Sequence, residues 1–199
     1  MLLSTGVDKF KECSRSRFLQ AHEFEPLLKA ISDYHDGRMR DFFLLCLYTG
    51  ARSGNVKAMK WERWVIPRTK NGTSQMIQLS DASLVILKER AKTKELNPFV
   101  LPGGQHKPNT THLKTAKNAW VKICRQAGVD GLRIHDLRRT AAAMMVMNNT
   151  STAVIMKQLG HSSLAAAQTY QRLDLRTAKE AMDQAIEKMH QLSKMKSAI

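Results

Sequence analysis

The sequence predicts a mainly α-helical chain with one small antiparallel β-hairpin, an α+β fold. Three observations predict it. Apolar residues recur at helical spacing in most segments. Several of those segments run into a glycine (Gly50, Gly128, Gly160), the residue that most readily ends a helix in the left-handed conformation. Asn71-Gly72 separates two short strand-like runs, a strong short-range hairpin signal.

Residues 1–17 hold two Lys and two Arg without sustained apolar periodicity and read as a linker or loosely attached arm. One compact domain is expected over residues 18–199. Residues 23–31 put Leu27, Leu28 and Ile31 on one face, with Pro26 expected in the first turn. Residues 38–48 are apolar nearly all round, as in a buried helix, and stop at Thr49-Gly50. Ser53 is expected to cap a short helix reaching Met59. Residues 64–66 and 76–79 are the strand-like runs. Residues 81–92 read as a helix with Leu84, Val85, Leu87 and Ala91 inside, and 101–108, with two Gly and two Pro, as a loop. Further helices are expected over 111–127, 136–148, 151–159 and 164–173. From residue 175 to 199, Ala178, Ala181, Met182, Ala185, Ile186, Met189 and Leu192 form one stripe of an amphipathic helix, to be buried either on its own domain or on a neighbouring protomer.

Thirty-two Lys and Arg against 17 Asp and Glu leave a formal net charge of +15. With 43% apolar residues over 199 positions, the chain can build a real core of one or at most two domains, and its surface charge calls for a polyanionic partner. A membrane partner is disfavoured: the longest apolar run, residues 42–48, is far short of the ~20 residues needed to span. The amino terminus has no basic leader and is not a secretory signal. Cys13, Cys46 and Cys124 are odd in number and far apart, so they read as free thiols in a reducing cytoplasm, without a disulfide framework or a zinc site.

Three short runs stand out: Thr49-Gly50-Ala51-Arg52, His135-Asp136-Leu137-Arg138-Arg139-Thr140, and Leu159-Gly160-His161-Ser162-Ser163 with Tyr170 nine residues after His161. Singly, each has an ordinary structural use. Arg52 is then a surface arginine, Arg138 and Arg139 a solvated helix face, His161 a residue packed after a glycine stop, and Tyr170 a half-buried aromatic. As an ordered set that includes the hairpin lysine Lys70, they resemble the catalytic domain of the tyrosine recombinases, specifically the phage-type integrases, over residues 18–173.

That resemblance implies a tyrosine recombinase catalytic-domain fold and metal-free breakage and rejoining of DNA, with no cofactor and no ATP. Tyr170 is the implied nucleophile, forming a 3′-phosphotyrosine that conserves the bond for rejoining. Arg52 and Arg138 are the implied phosphate clamp, since a guanidinium fork binds phosphate bidentately and stays charged. His135 is the candidate for proton transfer from a phenol whose free pKa is ~10, and His161 the donor to a phosphate oxygen. Lys70 is implied as general acid to the leaving 5′-oxygen, the alternatives being a solvated lysine or a phosphate anchor.

The charge distribution agrees. Residues 52–80 hold six basic residues and one acidic, and residues 101–139 eight and two. Arg68, Arg139, and His112, Lys114 and Lys117 at the expected start of the 111–127 helix are candidate contacts to the DNA backbone. The expected partner is double-stranded DNA at attachment sites. The full-length protein is expected as a homo-tetramer on DNA, and the isolated domain as a monomer.

Three departures from the family pattern stand out. Asn55 occupies a position where many relatives carry Glu. Only Glu62-Arg63 separates Trp61 from the strand at 64–66, which implies either a sheet reduced to a hairpin or an omitted loop. The upstream DNA-binding domains of full-length integrases are not in the sequence, so weak DNA affinity is expected. The rival functions are relaxation of DNA by a type IB topoisomerase-like enzyme and a DNA-binding remnant that no longer cuts. A metal-dependent nuclease is weaker, because His106 and His112 lack an accompanying carboxylate cluster.

Overall fold

The computed structural model describes residues 17–62, 65–66, 75–93, 97–103 and 111–160, together with Met182 and Ile186. Along them run α1 (Ala21–Ser32), α2 (Gly37–Thr49), α3 (Ser53–Lys57), β1 (Val65–Ile66), β2 (Gln75–Met76), α4 (Asp81–Lys92), α5 (Lys117–Ala127), α6 (Ile134–Met147) and α7 (Thr152–Leu159). α2 is the centre: α1, α3, α4 and α6 all pack on it, α5 packs on α1, and α7 on α6.

Helix starts follow from which groups satisfy the orphan N–H donors of a first turn. The Glu23 carboxylate accepts from the Gln20 backbone N–H at 2.8 Å, so α1 begins at Ala21 and Pro26 lies inside the helix, beyond the first turn expected for it. Arg17, assigned by sequence to the arm, donates to Glu23 at 2.8 Å and to the Asp130 carbonyl at 3.3 Å, and is therefore tied onto the domain. Asp36 caps α2, its Oδ1 accepting from the Arg38 N–H at 2.9 Å. Phe42, Phe43, Leu45, Cys46 and Leu47 of α2 are buried, as the all-round apolar pattern predicts. Trp120 of α5 packs at a tilt of 44° against Phe43 with ring centroids 4.8 Å apart, and its indole N–H donates to the Leu132 carbonyl at 2.8 Å. Ala142, Val146, Ile155 and Leu159 form a second, smaller cluster between α6 and α7.

Several expectations are corrected. Arg52, not Ser53, takes the N-cap position of α3. α5 starts at Lys117 instead of residue 111, because the preceding backbone is committed elsewhere. The Leu113 N–H donates to the Leu101 carbonyl at 2.8 Å, the Thr111 carbonyl accepts from Gly103 at 2.8 Å, and His112 bridges Pro102. His112 and Lys114 therefore lie in an extended segment, and only Lys117 is at a helix start. In α4, Ser83 and Leu87 face the core, whereas Val85 is 59% exposed and Ala91 is also exposed. That face continues through Arg90, which donates to Asp41 at 2.7 Å and to the Val100 carbonyl at 2.8 Å.

β1 and β2 pair antiparallel, Val65 opposite Met76 and Ile66 opposite Gln75. The second strand, expected at 76–79, is observed at Gln75–Met76: residues 77–80 lie beyond it and lead into the Ser80 cap of α4. The Asn71-Gly72 turn, Cys13 and the 164–173 helix lie outside the described residues. Of the apolar stripe at 175–199, Met182 and Ile186 are described; both are helical and exposed, by 60% and 43%. Among the described residues, no helix is long and apolar enough to cross a membrane.

Candidate active site

The Thr49-Gly50-Ala51-Arg52 turn is built by its first two residues. Thr49 is buried; its hydroxyl donates back to the Leu45 carbonyl at 2.6 Å and accepts from the Ala51 N–H at 3.1 Å. Gly50 then turns left-handed at φ 64°, where a side chain costs about 1–2 kcal/mol. The chain leaves α2 sharply and delivers Arg52 exposed at the start of α3.

Arg138 comes from the middle of α6 and is only 4% exposed. Its Nη1 donates to the Gly50 carbonyl at 2.7 Å and its Nη2 to the Leu159 carbonyl. Leu159 is the last residue of α7, which ends at the left-handed Gly160. The carbonyl ends of α2 and α7 thus converge on one guanidinium.

His135 is the second residue of α6 and is partly open to solvent. Its pKa is lowered, first by the protein packed around the ring and then by the charges of Arg139 and Arg138, with Arg52 adding to them; Asp136 opposes the shift. Arg52, Arg138 and Arg139 are therefore close enough to act on the imidazole, and the three segments 49–52, 135–140 and 159–160 meet in one place.

Two residues of the second run have structural work that sequence reading missed. Asp136 is fully buried, accepting from the Arg133 N–H at 2.8 Å and from Arg139 Nη1 at 2.6 Å. It caps α6 and draws Arg139, a candidate DNA contact, into an ion pair. Thr140 is also fully buried: its hydroxyl donates to the Asp136 carbonyl at 2.9 Å and accepts from the Leu19 N–H at 2.9 Å, fastening the start of the domain to the site helix. The signal for Asp136 was in the sequence, an acidic residue in the first turn of a helix that begins at Ile134.

Of the remaining candidates, Lys114 and Lys117 are exposed. His112 is half-buried, with its Nδ1 2.8 Å from the Leu113 carbonyl and its ring edge-on to Phe99 at 5.2 Å. Lys60 lies 5.5 Å from the centre of the same Phe99 ring, and Lys57 donates to the Lys114 carbonyl at 3.1 Å. Lys70, Arg68, His161 and Tyr170 lie outside the described residues.

The chain is similar to known proteins. The chain is 24% identical over 175 residues to the integrase of Salmonella phage P22, covering 80% of this chain and 44% of that protein. It is 23% identical over 194 residues to the tyrosine recombinase XerA of Pyrococcus horikoshii, covering 92% and 67%. Its fold superposes on XerH recombinase, solved bound to its difH substrate, with a TM-score of 0.64 at 20% identity over 81% of this chain and 52% of that one. The chain thus spans less than half of the P22 protein and about half of XerH. The profile of the phage integrase family matches residues 17–176, which carry the whole arrangement described above, and the chain belongs to that family.

Proposed function

We propose that this chain is the catalytic domain of a site-specific DNA recombinase that integrates or excises a mobile element through a 3′-phosphotyrosine intermediate. The observation that carries the reading is the convergence of Arg52, at the start of α3, on His135 and Arg138 of α6, with Arg138 fixed by two helix ends. Such a cluster suits a phosphate in flight: the arginines neutralise charge that grows on the nonbridging oxygens, and preorganised donors contribute most when charge develops in the transition state.

In the proposed step, the Tyr170 oxygen bonds to phosphorus and the P–O5′ bond breaks. The phenolic proton passes to His135, the titratable group that α6 places beside Arg138. Lys70 gives a proton to the leaving O5′, and His161 donates to a nonbridging oxygen. Attack by a 5′-hydroxyl reverses the sequence and reseals the strand, with no ATP, metal or other cofactor consumed. Arg68, His112, Lys114, Lys117 and Arg139 are proposed as contacts that hold double-stranded DNA, and the acting form as a homo-tetramer on paired attachment sites in the cytoplasm. Two features support assembly: the exposed helical residues Met182 and Ile186, and an apolar groove of about 800 Å³ lined in part by Leu28, Tyr48, Met144, Met145 and Val154.

The test is a pool of nicked suicide duplexes, randomised across the central positions and offered in EDTA. Covalent attachment of the chain to a DNA 3′ end is expected, and its loss in Tyr170→Phe. No adduct from any duplex in the pool overturns the reading for this chain.

A further inference from the structure

Gln158, the penultimate residue of α7, joins three segments through one carboxamide. Its Nε2 donates to the Thr49 carbonyl at 3.1 Å and to the Gln78 carbonyl at 2.9 Å, and its Oε1 accepts from the Gln78 N–H at 3.1 Å. Gln78 lies just past β2, where the paired strand has ended. A carboxamide presents one acceptor and two donors in a plane, so it bonds both backbone groups of Gln78 as a strand would and still reaches the end of α2. Among the side chains only Asn and Gln can make all three bonds, and Asn is one methylene shorter.

The place of this junction gives it a consequence for chemistry. Thr49 precedes Gly50, whose carbonyl takes Arg138, and Leu159, next to Gln158, supplies the other carbonyl on Arg138. On its other side the junction grips the chain that leaves the β1–β2 pair, and the sequence between those strands contains Lys70. We propose that Gln158 is a positioning residue for the leaving-group side of the reaction, fixing the two-stranded unit against the helix ends that hold Arg138. This rests on the recombinase reading above. The step concerned is cleavage of P–O5′ with proton transfer to O5′. Sulfur in place of that bridging oxygen leaves as a thiolate and needs no proton.

The experiment uses a duplex recovered from the pool above, resynthesised with either oxygen or sulfur at the 5′-bridging position. Gln158→Met keeps the length and removes all three hydrogen bonds. Gln158→Glu keeps the acceptor for the Gln78 N–H and loses both donors. Each variant is expected to cut the oxygen duplex about tenfold or more slower than the unaltered chain, since small misplacements of an acid are costly. Each should cut the sulfur duplex within about twofold of it. Hydrogen exchange should show the Gln78 amide losing protection in the Met variant while the Leu45 amide in the α2 core keeps it. Equal slowing on both duplexes, or unchanged cutting of the oxygen duplex, overturns the proposal. Lost Leu45 protection in both variants would make Gln158 a folding residue, which overturns it as well. Failure of the unaltered chain on both duplexes is a different result and overturns the recombinase reading itself.

Discussion

The Arg138 guanidinium donates to the Gly50 carbonyl at 2.7 Å, so a charged group in the middle of one helix closes the end of another. Its second bond, to Leu159, does the same for α7. The last carbonyls of a helix have no partner within it and carry the negative end of the helix dipole, so a cation there answers both needs. Two helix ends hold the fork in place, which would orient it for the proposed contact with phosphate. That is the preorganisation electrostatic catalysis requires.

Arg138→Lys tests whether the fork matters beyond its charge. An ammonium is a point donor and cannot hold both carbonyls in the geometry of a planar guanidinium. With one buried carbonyl left unsatisfied, unfolding in urea should show a loss of about 1–3 kcal/mol. Adduct formation on suicide DNA should fall by about 100-fold or more, beyond what the stability loss explains. A lysine variant that keeps both stability and cleavage would refute the two-ended clamp.

Gly50→Ala and Gly128→Ala separate backbone strain from packing. Both glycines end helices at nearly the same left-handed φ, 64° and 65°. A Cβ on Gly50 would stand 2.6 Å from Leu159 Cδ2 and 3.3 Å from the Ala141 Cβ, whereas one on Gly128 meets nothing within 4 Å. The Gly128 variant should lose about 1–2 kcal/mol from strain alone. The Gly50 variant should lose that amount and about 1–3 kcal/mol more from overpacking. Equal midpoint shifts in urea would show that the α2–α7 contact yields freely.

Much of this fold can be read from the sequence where one physical signal dominates. The all-round apolar run of α2, the glycine stops and the exact span of α4 are such cases. Reading fails where a tertiary bond competes with local periodicity. Residues 111–116 have helical spacing, but their backbone is engaged by residues 101–103, and α5 starts late. Residues 77–79 look like strand, but the backbone of Gln78 is bonded by a glutamine side chain. In the site, Arg52, His135 and Arg138 were legible because their chemistry and spacing are distinctive. Asp136 carries a local capping signal, an acidic residue in a first turn; Thr140 and Gln158 are not legible, because each acts through a partner distant in the chain.

His135 should give the stability a pH dependence of known sign. Its folded pKa lies below the ordinary 6.5, so below about that pH the unfolded chain binds the proton more readily than the folded one. The stabilising contribution is complete above 6.5 and is lost as pH falls through the folded pKa. Urea unfolding of the chain across this window should show stability declining as the solution is acidified. In His135→Asn that part of the decline should vanish, while the contributions of Glu23 and Asp36, whose pKa values are lowered, persist at more acidic pH. An unchanged slope between pH 6.5 and 5.5 in the variant would contradict the assignment.

Salt dependence distinguishes phosphate contacts from surface charge. Lys114 lies in the extended segment before α5 and Lys117 begins that helix, and both are exposed. The Lys114 carbonyl accepts from Lys57, and Lys60 and His112 both lie against the Phe99 ring, so basic residues of two distant segments are neighbours. A duplex seated there would release counterions in proportion to the phosphates neutralised, and each contact adds about 0.9 to the slope of log K against log salt. The double variant Lys114→Ala, Lys117→Ala should therefore lower that slope by about 1.8 and weaken binding to all duplexes alike, whatever their sequence. Lys29→Ala removes one positive charge from α1, where the ammonium pairs with Asp33 at 3.2 Å, and should leave the slope unaltered. Titrations of the three proteins at several salt concentrations decide it. Equal slopes would mean that Lys114 and Lys117 are solvated charges and that the duplex lies on another face.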